Sequence, residues 1–221
     1  MPIEERITQI HLVRHGEVYN PDGVLYGRAS GYHLSDKGQA MARRLGYWFS
    51  RYDLAALSTS PLERAQETMA PIAAAHSNVD VHIDDRLIEA DNAFEGQIFG
   101  RCNKALLNPK NWYLLRNPLR PSWGEPYRLI AQRMKTAIVQ MAIELEPGSH
   151  AVMVSHQLPI WIARLSAEGK SYIHDPRRRQ CTVASVTTFR FDGPQFAGIT
   201  YAEPARDLLG ADANRAFSSG R

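Results

Sequence analysis

The chain is poor in cysteine: only Cys102 and Cys181 occur among 221 residues, far apart and outside any CxxC spacing. Two such thiols suggest neither a disulfide framework nor a thiolate zinc site, so a reducing, cytoplasmic setting is expected. Charge of one sign is also lacking. Lys and Arg total 26 against 23 Asp and Glu, a formal net charge of +3. With no basic block resembling a DNA-reading motif, that balance argues against nucleic acid as a partner. No apolar run approaches the roughly 20 residues that cross a bilayer. The opening MPIEERITQ is too polar for a signal peptide, so no membrane partner is expected. The eight histidines are scattered, which offers no metal-ligand cluster and no bound cofactor. Repeats, linkers and low-complexity tracts are absent too, and 44% hydrophobic residues can build one sizeable core. One domain over residues 1–221 is expected, with residues 213–221 as a loosely held tail.

What is present alternates strand and helix. Residues 7–13 read as a buried strand, and Asn20-Pro21-Asp22-Gly23 is strong turn chemistry. Ser35 sits where a helix N-cap belongs, and Met41, Leu45, Trp48, Phe49 and Tyr52 recur at helical spacing over 36–51. Residues 54–59 are a short second strand. Ser60-Pro61-Leu62-Glu63 reads as a helix start with Ser60 as N-cap, proline first and glutamate three after the cap, for a helix to about His76. Residues 79–83 form a third strand, and residues 90–124, rich in Asn, Pro and Trp, an irregular excursion over one end. A helix spans about 126–145, ended by Pro147-Gly148. Residues 151–155 are an apolar strand buried on both faces, followed by a helix over about 158–168. Two late strands, about 181–191 and 196–202, flank the hairpin signal Asp192-Gly193-Pro194. The alternation predicts an α/β fold: a three-layer α/β/α sandwich with a mostly parallel sheet and one antiparallel strand from the closing hairpin.

In such sheets ligands bind beyond the C-terminal strand ends. The first strand ends at Arg14-His15 and the fourth at Ser155-His156. The second leads to Arg64, and the third is followed by Arg86 and Glu89. Each residue alone has a bland reading: a satisfied histidine, a solvated arginine, a loop carboxylate. Two histidines, two arginines and a glutamate converging on one rim suit phosphoryl chemistry. Guanidinium forks match phosphate oxygens, a helix N-terminus adds anion affinity, and a neutral imidazole can attack phosphorus. A carboxylic acid can protonate the departing alkoxide. No metal is needed if arginines and histidines carry the positive charge. Arg177-Arg178-Arg179 is the only dense basic run, either a solvated loop or a greeting surface for an anionic substrate.

These stretches resemble the histidine phosphatase superfamily, the phosphoglycerate-mutase-like enzymes of RHG type. The resemblance rests on Leu12-Val13-Arg14-His15-Gly16-Glu17 with Asn20, Gly27-Arg28, Leu34-Ser35-Asp36-Lys37-Gly38 and Ser58-Thr59-Ser60-Pro61-Leu62-Glu63-Arg64-Ala65-Gln66-Glu67-Thr68. It continues through Leu87-Ile88-Glu89, Phe94-Glu95-Gly96, Gly124-Glu125 and Val154-Ser155-His156, covering about residues 7–165. It implies His15 as the phosphorylated nucleophile, Arg14, Arg64 and His156 as holders of the phosphoryl group, and Glu89 as proton donor and later base. Asn20 and Arg28 would be further pocket residues, although Arg28 also reads as an ordinary loop residue. Gln157 would offer its backbone N–H to phosphate. Strand edges in this family often pair, so a homodimer is compatible with the sequence.

Several departures bear on substrate. Val18 stands where the family usually has Thr or Ser, and Gln157 replaces a common Gly. The segment after Glu89, Asp91-Asn92-Ala93-Phe94-Glu95-Gly96, lacks the usual Gly-Glu-Trp pattern. The reading favoured is a phosphatase acting on a small phosphorylated metabolite. The alternatives are a phosphoglycerate-type mutase, hence an isomerase, and a non-catalytic phosphate-binding module. Sugar phosphates, phosphoglycerates and nucleotides all remain open as substrates.

Overall fold

The computed structural model describes residues 6–98 and 124–209. Its strands and helices follow in chain order as β1 (Ile7–Arg14), α1 (Asp36–Phe49), β2 (Leu54–Thr59), α2 (Glu63–Ala74) and β3 (Val81–Ile83). After these come α3 (Tyr127–Glu144), β4 (His150–Ser155), α4 (Gln157–Ala167), β5 (Val186–Asp192) and β6 (Gln195–Ala202). Strand periodicity decides the layering. Ile10 and Leu12 of β1, with Ala151 and Met153 of β4, face an apolar cluster built with Ile130, Met134 and Ile138 of α3 and Ile160 and Ile162 of α4. Val13, Val152 and Val154 point the other way, onto Met41, Leu45 and Phe49 of α1 and Met69 and Ile72 of α2. Both sheet faces are therefore covered by helices, which is why β1 and β4 are buried along nearly their whole length without alternation.

The sheet order is β3-β2-β4-β1-β5-β6. β3, β2, β4 and β1 run parallel, and β5 pairs antiparallel with both β1 and β6. β5 is thus the one strand opposed to the other five, as the hairpin signal implied. Arg14 pairs with Ser155 at the last rung between β1 and β4, so the first residues beyond each strand, His15 and His156, emerge side by side.

Three expectations need correction. Ser60 does not cap α2. Leu62 is the N-cap, without a side-chain cap bond, and the Ser60 hydroxyl lies 2.8 Å from His156 Nε2 while accepting from the Leu62 N–H at 3.4 Å. β3 keeps only residues 81–83, all exposed at the sheet edge, because Val79 N–H is drawn into a turn on the His76 carbonyl. β5 begins at Val186 rather than near 181. Residues 181–185 cross the end of β1, where Ala184, in left-handed backbone at φ 56°, donates its N–H to the carbonyls of Arg14 and His15. Most of the expected excursion and the expected tail lie outside the described residues. Among the described residues no helix is long and apolar enough to cross a membrane.

Glycine fixes how closely α1 approaches the turn after β1. A Cβ on Gly16 would lie 2.7 Å from the Gly38 carbonyl oxygen, and one on Gly38 would collide with the Glu17 carbonyl. Ser35 caps α1 here, accepting from Gly38 N–H at 3.0 Å. Both neighbours in the clash are backbone and cannot swing away. Gly38→Ala should therefore destabilise the fold by about 1–3 kcal/mol, despite alanine's better helix propensity. The midpoint of urea unfolding checks this, and an unchanged midpoint would refute it.

Candidate active site

β1 delivers Arg14 and His15, β4 delivers His156, and the first turn of α2 carries Arg64. Glu89 follows the short 3-10 turn Asp85–Leu87 after β3. The Ser155 hydroxyl donates to the Leu87 carbonyl at 2.7 Å, tying that segment to the end of β4. Arg14 is 5% exposed, His15 2%, and Arg64 and His156 0%. Charged and polar groups this deep need partners.

A hydrogen bond assigns the proton of the first imidazole. His15 Nδ1 sits 2.8 Å from its neighbour Gly16 carbonyl, which can only accept, so Nδ1 carries the hydrogen and Nε2 the lone pair. The Gly16 N–H donates to the Thr68 hydroxyl at 3.0 Å, which itself donates to the Arg64 carbonyl, so the His15 turn is locked to α2. His156 Nε2 meets the Ser60 hydroxyl. His156 Nδ1 has no partner within the protein, and where Ser60 donates to Nε2 that nitrogen carries a hydrogen for a ligand. The His15 and His156 rings lie 5.1 Å apart, centroid to centroid. Burial, then the Arg64 and Arg14 charges, holds the His15 pKa well below its ordinary value, so its imidazole is neutral. Burial and Arg64 do the same for His156.

The arginines are anchored at one end only. Arg14 Nη1 donates to the Cys181 carbonyl at 2.7 Å, and Arg64 Nη2 to the Gly27 carbonyl at 2.6 Å. The Arg64 guanidinium lies 4.6 Å above the Tyr26 ring, which holds it in plane. Arg14 Nε and Arg64 Nε and Nη1 have no protein acceptor. With His156 Nδ1 they make four buried nitrogens without partners from three residues at one rim, the three of the arginines being donors. An unsatisfied buried donor costs about 1–3 kcal/mol, so such a set is costly unless a ligand supplies the acceptors. A phosphoryl group, with three peripheral oxygens and negative charge, meets that need.

Glu89 as a whole residue keeps some exposure, yet its carboxyl is enclosed by protein. Burial raises its pKa, and the opposing pull of Arg64, Arg14 and Arg179 does not reverse that. Its Oε1 accepts from Ala90 N–H at 2.8 Å. A carboxyl whose pKa burial raises is suited to giving up a proton in catalysis.

The remaining expected site residues fare differently. Arg28 reaches the site: its Nε donates to the Glu89 carbonyl at 2.8 Å and its Nη2 to Glu125 at 3.0 Å. The Asn20 side chain both donates to and accepts from Val24 backbone, which commits its amide to its own turn. Gln157 opens α4, and its side chain lies 3.4 Å from the Cys181 carbonyl that also receives Arg14. Arg86 pairs with Asp84 and Gln140 instead of joining the rim.

Glu125 carries more than its place in a sequence motif suggested. It binds Arg28 at 3.0 Å and Arg133 at 2.9 Å, and Arg133 also donates to the Arg86 carbonyl. One carboxylate thus fixes both arginines that brace the Glu89 segment from either side. Glu125→Ala would leave two guanidiniums half-buried without their anion, and should destabilise the protein by about 3 kcal/mol. Chemical denaturation reads this directly; a loss under 1 kcal/mol would mean that solvent takes over the pair. Among the described residues no group of three or more His, Cys, Asp or Glu could hold a metal ion.

With this geometry in view, comparison with known proteins identifies the family. Residues 10–203 match the histidine phosphatase superfamily (branch 1), so the match runs past residue 165 and takes in the β5–β6 hairpin. Uncharacterized protein Rv0525 of Mycobacterium tuberculosis is 50% identical over 198 residues, 90% of this chain and 97% of that protein. Phosphoserine phosphatase 1 of Hydrogenobacter thermophilus is 37% identical over 157 residues, 70% of this chain and 73% of that protein. The crystal structure of phosphoglycerate mutase from Bacillus anthracis shares the fold at a TM-score of 0.70 and 18% identity, covering 94% of this chain and 98% of that one. The chain belongs to the histidine phosphatase superfamily, branch 1, whose members are phosphatases or mutases.

Proposed function

We propose that this protein is a phosphomonoesterase that works through a phosphohistidine at His15, on a small phosphorylated metabolite and without a metal ion. The observation that carries this reading is the set of four unpartnered buried nitrogens on Arg14, Arg64 and His156 beside a neutral His15. Arg14, Arg64 and His156 hold the phosphoryl oxygens, and the free N–H groups at the start of α4 add to that anion site. His15 Nε2 attacks phosphorus while the ester P–O bond breaks. Glu89 passes its proton to the departing alkoxide, giving an alcohol and a phosphoenzyme. Glu89, now a carboxylate, takes a proton from water as the water oxygen attacks phosphorus. Inorganic phosphate leaves, and His15 and Glu89 return to their starting forms. Charge stabilisation and positioning supply most of the acceleration, as phosphoryl transfer requires.

The mutase alternative shares the first half-reaction, then returns the phosphoryl group to a second hydroxyl. Phosphate release from a panel of monoesters, measured in EDTA, tests the proposal. Release that depends on the ester supplied is expected. Isomerisation of phosphoglycerate without phosphate release would decide for the mutase, and tight phosphate binding without turnover for a binding module.

A further inference from the structure

The basic run Arg177-Arg178-Arg179 does not behave as a unit. Arg177 is exposed and paired with Asp175 at 3.0 Å, and Arg178 is exposed. Arg179 turns inward and is half-buried. Its Nε donates to His174 Nε2 at 2.8 Å. His174 Nδ1 lies 2.7 Å from the Tyr172 carbonyl, so that nitrogen carries the hydrogen and Nε2 is free to accept. The His174 ring sits 5.9 Å from both Tyr127 and Trp161, which fixes its orientation. On its other side Arg179 Nη1 approaches Gln157 Oε1 at 3.5 Å, while Gln157 Nε2 lies 3.4 Å from the Cys181 carbonyl. Arg14 donates to that same carbonyl. Arg179 is therefore tethered, through one side chain and one carbonyl, to an arginine of the phosphoryl site.

Both anchors of Arg179 are neutral. Burial keeps His174 below its ordinary pKa, and Gln157 is an amide. No carboxylate among the described residues forms an ion pair with Arg179, whereas Arg28, Arg133, Arg164 and Arg177 each have one. Nature of anchor matters here: a guanidinium held by neutral groups keeps its whole charge for something else. Burial lowers its pKa, but arginine stays protonated. Through Gln157 at the start of α4 and the Cys181 carbonyl it stands next to Arg14, at the edge of the phosphoryl site.

We infer that Arg179 is a specificity-determining residue that binds a second anionic group, carboxylate or phosphate, on the non-transferred part of the substrate. This rests on the phosphomonoester reading of the site and narrows its substrate class to monoesters with a further negative charge. Phosphoryl transfer itself is left to Arg14, Arg64 and His156. His174 and Gln157 act as positioning residues, aiming the fork without cancelling its charge.

The test is a binding measurement made in a His15→Ala background so that no ester is turned over, and in the titrations wild type refers to position 179. 3-Phosphoglycerate and glycerol 3-phosphate differ only in a carboxylate against a hydroxymethyl group. Titration calorimetry with wild type, Arg179→Gln and Arg179→Lys should show the acid bound more tightly by wild type, by about 10- to 100-fold. Arg179→Gln should erase that preference and leave glycerol 3-phosphate within about threefold. Arg179→Lys, which keeps charge but not the fork, should retain part of it. Fructose 1,6-bisphosphate against fructose 6-phosphate repeats the comparison with phosphate as the second anion. A preference for either pair that Arg179→Gln erases supports the inference and names the anion. A preference absent from wild type in both pairs, unchanged in both variants, or lost with equal weakening of the singly charged ester, overturns it. If wild type hydrolyses no monoester, the phosphatase reading fails while the binding comparison still judges Arg179.

Discussion

His15→Ala should lower phosphate release by at least about four orders of magnitude while leaving the protein folded. The expectation is large because the histidine is proposed to form and break the bond to phosphorus, and no neighbour can replace it. His156 has its Nε2 engaged with the Ser60 hydroxyl. The fold should tolerate the change. The His15 side chain bonds only the adjacent Gly16 carbonyl, and its backbone N–H still meets the Ser155 carbonyl. Phosphoryl transfer from a radiolabelled ester, quenched in alkali, should label wild type with an acid-labile phosphoramidate and leave the variant unlabelled. A label that survives in His15→Ala would place the covalent bond elsewhere and sink the mechanism. A variant that binds phosphate but forms no phosphoenzyme fits it.

Glu89→Gln should slow phosphoenzyme formation from alkyl monoesters by about 10²–10⁴-fold. An aryl ester such as p-nitrophenyl phosphate should suffer far less in that step, because its leaving group departs without a proton. Glutamine keeps the shape and the Ala90 contact but has no acid to give. The pH dependence follows from the two shifts. Glu89 must be protonated for the first step; its pKa is raised by burial, so the rate falls as pH climbs through that raised value. His15 must be neutral; its pKa is lowered, so the rate falls only as pH drops through that lowered value. Alkyl esters should therefore show a bell with the acidic limb from His15 and the alkaline limb from Glu89, read as properties of the coupled site. Burst-phase kinetics on both ester types across pH is the measurement. Equal losses for alkyl and aryl esters would remove Glu89 from the role of acid.

The site was legible because catalytic groups follow apolar strands. Two strands buried on both faces, one ending in Arg14-His15 and the other in Ser155-His156, fix a shared rim once they are parallel. Ser35 likewise announced the start of α1. What stayed hidden depended on contacts between distant segments. Ser60-Pro61-Leu62-Glu63 has every local feature of a helix start, but the Ser60 hydroxyl is shared, meeting His156 at 2.8 Å and the Leu62 N–H only at 3.4 Å, and the helix starts after Leu62. The late strand looked longer than it is because residues 181–185 are apolar enough to pair. They are instead spent crossing the end of β1, where Cys181 and Ala184 serve Arg14 and His15. Arg179 was visible only as the third of three arginines. Nothing local distinguishes it from Arg177; the neighbouring Asp175 pairs with Arg177, and His174 turns Arg179 inward. The bracing role of Glu125 shows only where Arg28 and Arg133, from opposite ends of the chain's described middle, converge on it.

The place of β4 has a consequence for biosynthesis. β4 lies between β1 and β2, which do not pair with each other, and it comes long after both in the chain. While the ribosome is still making the middle of the protein, the β1 and β2 edges that will receive β4 have unpaired backbone, a state open to misassociation. Only when β4 threads between them does His156 arrive beside His15 and the two arginines. A phosphorylated metabolite that bridges Arg14, Arg64 and His156 would hold only the finished topology, and so would favour completion of the sheet over its half-made forms.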